Sequence, residues 1–276
     1  VSVDNSGGIS AISQYFNAVA INANSVYGDI NIDSNGGYLA AYAVYDYATG
    51  INAYSVYGDV DINNGTDITA YSVDGDATGI RAFSVYGDTT VNNDGNILAS
   101  TTNANAYGIY AASIFYDVTV TGSGDITVES YNGDAIGIIA IGLTGDITVD
   151  TSGDISAITE YGDAIGINAI SLSGGDVTVT NAGNIDVYTF AGLTRGIYAD
   201  GNNVSVYNSG DINAESVFYN SRGIQVQAYY DALVVNSGDI SATSYAQGSA
   251  QAIRAVSQYG YAEVSNTGDL SATSTY

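Results

Sequence analysis

The chain has no Pro, Cys, Met, Trp or His, and its only basic residues are four Arg. Without Cys there is no disulfide framework and no thiolate zinc site. Without His or Lys, no nitrogen base exists for proton transfer, which leaves carboxylates to do any such work. No apolar run approaches the roughly 20 residues that a membrane helix needs, so this segment is not expected to insert into a membrane. The four Arg stand against 29 acidic residues, a net charge of −25. That balance argues against nucleic acid and anionic membrane surfaces as partners, because both would be repelled. The chain opens at Val1 with neither an initiator Met nor a charged-then-apolar leader. It therefore reads as a single domain, residues 1–276, processed or excerpted from a longer repetitive chain.

What remains is a reduced alphabet. Hydrophobic residues make up 46% of the chain, enough for a core, and Gly and Tyr are abundant at 34 and 25. Bias of this kind accompanies repetition. The stretch from Ile147 to Asp176, ITVDTSGDISAITEYGDAIGINAISLSGGD, sets the pattern. Its three short runs alternate aliphatic and polar residues, with Ile147/Val149, Ile155/Ala157 and Ile167/Ala169 on one side. Each run ends in a turn: Ser-Gly-Asp at 152–154, Tyr-Gly-Asp at 161–163 and Gly-Gly-Asp at 174–176. In such turns Gly is expected to take positive φ and Asp to bond its own backbone.

Closing each unit at the turn Asp divides the first 176 residues into units of 29, 30, 29, 29, 29 and 30 residues. Units of 27, 28 and 30 residues follow, ending at Asn203, Asp231 and Tyr261, and residues 262–276 make half of another. A long period sustained from end to end is the signature of a solenoid. The inward columns include Ile30/Ile32, Val60/Ile62 and Val118/Val120 in the first run, and Ile68/Ala70, Ile97/Ala99 and Ile126/Val128 in the second. The third run supplies Ile51/Ala53, Ile80/Ala82 and Ile138/Ala140. Period-two alternation in runs this short, punctuated by Gly, argues for strands and against helices. The expected fold is all-β: a single-stranded parallel β-helix (β-solenoid) of about nine and a half triangular coils of 27–30 residues, with three short strands per coil. At about 4.8 Å per coil it would span on the order of 45 Å. One coil holds too few aliphatics to offset the entropy of ordering it, so the array is the unit of stability.

Polar residues recur in register as well. Asn5, Asn64, Asn93, Asn181, Asn208, Asn236 and Asn266 precede the first turn of their units, where stacked amides form ladders. Tyr27, Tyr57 and Tyr86, with Phe115 after them, make an aromatic column before the third turn. Such a column stacks at a corner, or offers a strip that grips glycan rings or another fibre. Asp29, Asp59, Asp88, Asp117, Asp146 and Asp176 form an acidic column. Asp125/Asp154, Asp134/Asp163 and Asp211/Asp239/Asp269 form shorter ones. Unit charges about 4.8 Å apart repel by about 0.9 kcal/mol even at the dielectric constant of water. The long column is thus a candidate Ca²⁺ site, because turn carboxylates and carbonyls suit that ion. No other cofactor is required. Solvated turn Asp is the simpler account, and the period does not match the nine-residue calcium-binding repeat.

A catalytic site should break the repeat. The breaks are few: Arg81, Arg195, Arg222 and Arg254, and the irregular coils between Asp176 and Asp231. Arg81 and Arg254 follow a buried Ile, should point outward, and would tune solubility or pair with the Asp columns. An ice-binding Thr-x-Thr row is too broken to hold, since Thr119/Thr121 and Thr178/Thr180 give way elsewhere to pairs such as Asn31/Asp33.

Taken together, NSGDISA at 236–242, YGDAIGINAIS at 161–171 and NSVYGDINI at 24–32 resemble the degenerate repeats of bacterial autotransporter passengers and related surface adhesins. The resemblance covers the whole chain and implies a right-handed β-helix, exported to the cell surface or secreted, with no catalytic residue to carry over. The function expected on this footing is a non-catalytic extracellular structural or adhesive rod. Its partners would be further repeats of the same chain, other copies end to end or side by side, and glycans. The alternative is a secreted β-helical polysaccharide hydrolase or lyase.

Overall fold

The structure, a computed structural model, describes residues 1–275. Its first sheet has ten strands, running from Ser2–Asn5 and Ile30–Ser34 to Ala262–Asn266. The second sheet also has ten, from Ile9–Ser13 to Leu270–Ser274, and the third has nine, from Ala18–Ser25 to Ala250–Ser257. Every pairing joins a strand to its equivalent one coil away, in parallel, as in Val118↔Ile147 and Ile147↔Val177. The result is an all-β solenoid: nine full coils of three strands and two strands of a tenth.

Burial follows the alternation. Ile147, Val149, Ile155, Ala157, Ile167 and Ala169 are essentially inaccessible, and they stack on equivalents in the coils above and below. Large Ile opposite small Ala keeps the interior narrow enough to pack closely.

The turns depart from expectation in one respect. Only Gly28, Gly37, Gly122 and Gly174 among the glycines take positive φ. Most of the others at the corners are small because turns stack as closely as strands do. A Cβ at Gly153 would lie 2.5 Å from the carbonyl carbon of Gly124, one coil back.

The third sheet also differs from the other two. Its strands run to eight residues, as in Ala135–Gly142, against five in most of the others. Ala135 and Ile138 are both buried in the core, so the two residues between them break strict alternation. The pairing passes from Ile136↔Ile165 to Ile138↔Ile167 and skips Gly137, where the strand bends. A Cβ on Gly137 would lie 2.6 Å from the Gly166 carbonyl oxygen and closer still to Ile155 Cγ2. Gly50, Gly79, Gly108, Gly166, Gly196 and Gly223 are confined in the same way. Ala replaces this Gly twice, at Ala20 and Ala252, and only there does Leu replace the Ile one coil on, at Leu39 and Leu270. Leucine carries its branch one carbon farther out, which removes the Cγ2 that a Cβ would strike.

Gly137→Ala is expected to destabilise the fold by about 1–3 kcal/mol through overpacking. Ile155→Leu should recover a large part of that loss in the double variant, as read by thermal denaturation. A double variant no more stable than Gly137→Ala would show that the two positions do not share the space.

Candidate functional site

The three corners of the coil carry most of the repeated polar residues, and all three use them alike. At the third corner Asp29 Oδ1 accepts the backbone N–H of Asp59 at 3.1 Å, Asp59 that of Asp88 at 2.9 Å, and Asp88 that of Asp117 at 3.0 Å. Asp117 and Asp146 accept from Asp146 and Asp176, both at 2.8 Å. The first corner repeats this from Asp67 through Asn96, Asp125, Asp154 and Asn184 to Asp211, Asp239 and Asp269. The second does so through Asp76, Asn105, Asp134 and Asp163. The turn Asp therefore bonds the next coil's backbone and not its own, because the next turn lies one strand spacing away. The carboxylates of the first and third corners are exposed and those of the second are half-buried, so at the exposed corners the repulsion of about 0.9 kcal/mol per neighbour is comparable to the roughly 0.5–1.5 kcal/mol net value of a hydrogen bond. Asn interchanges with Asp freely in these ladders because it keeps the accepting oxygen and drops the charge. Among the described residues, no group of three or more His, Cys, Asp or Glu converges as a metal site would require.

The predicted Asn column is two ladders. Asn181, Asn208, Asn236 and Asn266 each donate to the carbonyl two residues on, as Asn181 does to Gly183 at 2.6 Å. The first three also donate to the next Asn, at 2.7–2.8 Å. Asn64 and Asn93 form the shorter ladder, whereas Asn5 donates to Ser34 Oγ and accepts the Gly7 backbone N–H. Gly122 and Thr151 occupy the coils between the two ladders, and Asn181 Oδ1 is left buried without a partner.

The predicted aromatic column is a face-to-face stack. Ring centroids lie 5.3 Å apart for Tyr27/Tyr57, 5.2 Å for Tyr57/Tyr86 and 4.9 Å for Tyr86/Phe115. A second column at the other corner, Tyr131, Tyr161, Phe190 and Phe218, packs edge to face. Sequence reasoning missed it, because its members alternate between two adjacent positions: Tyr131 and Phe190 directly follow the second-sheet strand, and Tyr161 and Phe218 stand one residue later.

The largest departure from the repeat is the outer face of the third sheet. Side chains flanking the Gly bend point away from the core, yet Thr49, Thr78, Ile136, Ile139 and Ile165 are buried. They are covered because the bend makes this face concave and turns the two outward rows toward each other. At one end the groove encloses a cavity of about 460 Å³ lined by Asn22, Asn52, Arg81, Tyr107 and Tyr110. Burial, with Asp76 and Asp134 contributing after it, pushes Tyr107 up to about 12. Midway, Ile136, Ile139 and Ile165 close the groove into a small apolar cluster.

At the other end lie three of the four Arg. Arg195 and Arg222 are direct neighbours on adjacent strands, Gln251 follows Arg222, and Arg254 sits beside Gln225. Arg81 is on the same face, so all four cations share one sheet. Arg195 Nε donates to Gln225 Oε1 at 3.2 Å, Arg222 Nη1 to the same oxygen at 2.8 Å, and Arg222 Nε to Gln251 Oε1 at 3.2 Å. The expected pairing with the Asp columns does not occur: among the described residues every arginine side-chain hydrogen bond goes to a glutamine. The acidic ladders lie at the corners, and this cluster lies on a face between them. Arg195 also lies over the Tyr198 ring, 5.1 Å from its centroid. Burial first, and then the charges of Arg195 and Arg254, lower the Arg222 pKa.

The irregular coils cut a notch at the corner where the strands of this sheet end. The turn Leu172–Asp176 has five residues, but in the next coil only Asn202 and Asn203 join Gly201 to Val204. The step leaves a cavity of about 630 Å³ bordered by Leu172, Gly174, Asp200, Asn202 and Gln227. No family model matches the chain, and neither a curated protein nor a solved structure matches it significantly.

Asp117→Asn is expected to raise stability by about 0.5–1 kcal/mol at low ionic strength, with the gain fading at 1 M salt as repulsion is screened. Asp117→Ala should lower it by about 1 kcal/mol at either salt, because the Asp146 N–H loses its acceptor. Ca²⁺ and Na⁺ at matched ionic strength should raise the melting temperature of the parent chain equally. A larger rise with Ca²⁺, reversed by EDTA, would mark the Asp column as a specific calcium site.

Proposed function

We propose that this chain is an acidic, non-catalytic rod of an extracellular surface protein, of the kind its resemblance to autotransporter passengers implies. The observation that carries this proposal is the unbroken register of all three sheets through successive coils. A structure in which each layer is held by the next resists bending and suits the spacing or display of a surface. The carboxylates support the same proposal, because those in the ladders act as acceptors for neighbouring turns and none of these ladders forms an isolated acid–base pair.

The rod is also suited to joining copies of itself. In the last layer Val264 and Leu270 are each 47% exposed, whereas equivalents inside the array are sealed. Strand Leu270–Ser274 pairs on one side only, with Ile240–Ser244. A parallel edge beside an apolar section is a template for another layer, whether a further repeat of the same chain or a second copy. Purified protein at rising concentration should therefore form end-to-end filaments one coil wide in electron micrographs, and Val264→Lys/Leu270→Lys should suppress them. A strictly monomeric light-scattering result at high concentration would overturn assembly through the ends. Turnover of any member of a polysaccharide panel, lost on replacing one acidic pair, would overturn the non-catalytic assignment in favour of the glycan-cleaving alternative.

A further inference from the structure

The groove on the third sheet is sealed midway by Ile136, Ile139 and Ile165. Over the first four coils it stays open, and the cavity of about 460 Å³ lies there. In the floor row of this stretch Thr49 and Thr78 stand where later coils have Ile136 and Ile165. We infer that this trough binds a neutral, extended oligosaccharide laid along the axis of the solenoid, over Thr49 and Thr78.

The trough is built from aligned rows, and all the residues that would hold the ligand line the cavity itself. Thr49 and Thr78 are followed in the floor row by Tyr107, and Asn52 and Arg81 are followed in the row beside it by Tyr110. Tyr47 and Asp76, which directly precede the same strands, border the other side. Tyr107 and Tyr110 meet edge to face and pack against the Ile cluster, which closes that end. Thr49 and Thr78 are only 8% and 7% exposed although they point away from the core. Among the described residues neither hydroxyl has a partner in the chain, and neither is sealed off from the cavity. Arg81 likewise makes no hydrogen bond within the chain. The Asn52 amide nitrogen donates to Asn22 Oδ1 at 2.8 Å, which leaves Asn52 Oδ1 as an acceptor without a donor.

These groups select the ligand. A guanidinium only donates, an amide oxygen only accepts, and a threonine hydroxyl does both. Set one strand spacing apart, they call for a ligand whose own groups donate and accept at short, regular intervals, as sugar hydroxyls do. A pyranose ring advances an extended glycan by about one strand spacing, so successive rings would meet successive coils. The C–H faces of such rings are apolar and match the tyrosines along the trough. Asp76 and Arg81 stand on opposite sides of it and offset each other, while the net charge of −25 repels anions. A neutral, hydroxyl-bearing chain satisfies the floor, both sides and the long-range field together.

This inference does not rest on the rod assignment: a monomeric chain would bind the ligand equally well. The test is calorimetric titration of the full chain with cellotetraose, maltotetraose, glucose and tetragalacturonate. Cellotetraose should bind about tenfold or more tightly than each of the others, because a straight trough excludes the coiled maltotetraose and the acidic field disfavours the galacturonate. Thr78→Ile should abolish that binding with a melting temperature near that of the parent, since the fold already accepts Ile in the same row at 136 and 165. Thr78→Val, which keeps the shape and removes the hydroxyl, should weaken it by about three- to tenfold. Arg81→Gln should weaken it by about tenfold, and Arg222→Gln, on the same face but at the far end, should leave it unchanged. No binding, binding that survives Thr78→Ile, or an equal loss in Arg222→Gln would overturn the site. Glucose or maltotetraose binding as tightly would overturn the extended ligand, and tetragalacturonate binding as tightly would overturn its neutrality.

Discussion

Every residue in a stacked coil must tolerate a copy of its own position one strand spacing above and below. This requirement selects the alphabet. Ile, Val and Ala repeat because apolar side chains gain by touching their own kind. Asn repeats because its amide is both donor and acceptor, so Asn181, Asn208 and Asn236 each donate to the next Asn, and only the Asn181 oxygen at the start of the ladder is left without a donor. Gly repeats at the corners because there the facing atom is backbone, and along the third-sheet bend because there it is an Ile Cγ2 as well as a backbone carbonyl. Asp is tolerated although like charges face each other, since each carboxylate serves the amide of the next turn.

The same requirement explains what could be read in advance. Alternating Ile and Ala at a fixed period established strands, coils and the inward columns, since period-two burial admits little else in runs so short. The Asn and Tyr columns were legible because identical residues recur at identical places. Three things were hidden. The role of most turn Gly depends on how closely consecutive turns approach, a distance that periodicity does not contain. The split of the Asn column was visible only as Gly122 and Thr151 standing where Asn was expected. The concavity of the third sheet arises from one additional residue per strand, Gly137 and its equivalents, which periodicity treats as a minor irregularity. Once that bend is known, the positions of the Arg fall on one face.

Defects in the repeat acquire meaning against this background. The coil of 27 residues keeps all three strands and their inward residues, with Val177, Val179, Ile185, Val187, Ile197 and Ala199 fully buried. Its missing residues come out of the corner after Gly201, where backbone can be removed without disturbing the core. The cost of irregularity is thereby kept to the surface, and the notch appears at that corner, bordered by Asp200, Asn202 and Gln227. A regular interior with a variable exterior is what lets a solenoid alter one face while its register persists.

The coupling between the bend and the following coil bears on how such a chain could have grown. A Gly and the Ile it accommodates, or an Ala and its Leu, are separated in sequence by less than one unit but belong to different coils, as with Gly137 and Ile155 or Ala20 and Leu39. A crossover between a Gly coil and an Ala coil, with its breakpoint inside that interval, would set Ala against Ile and create a clash. Among the seven Gly coils the same breakpoint rejoins Gly to Ile and costs nothing. Expansion and contraction of the gene by unequal crossover would therefore be tolerated at any breakpoint within the Gly coils and only outside that interval at the two Ala coils.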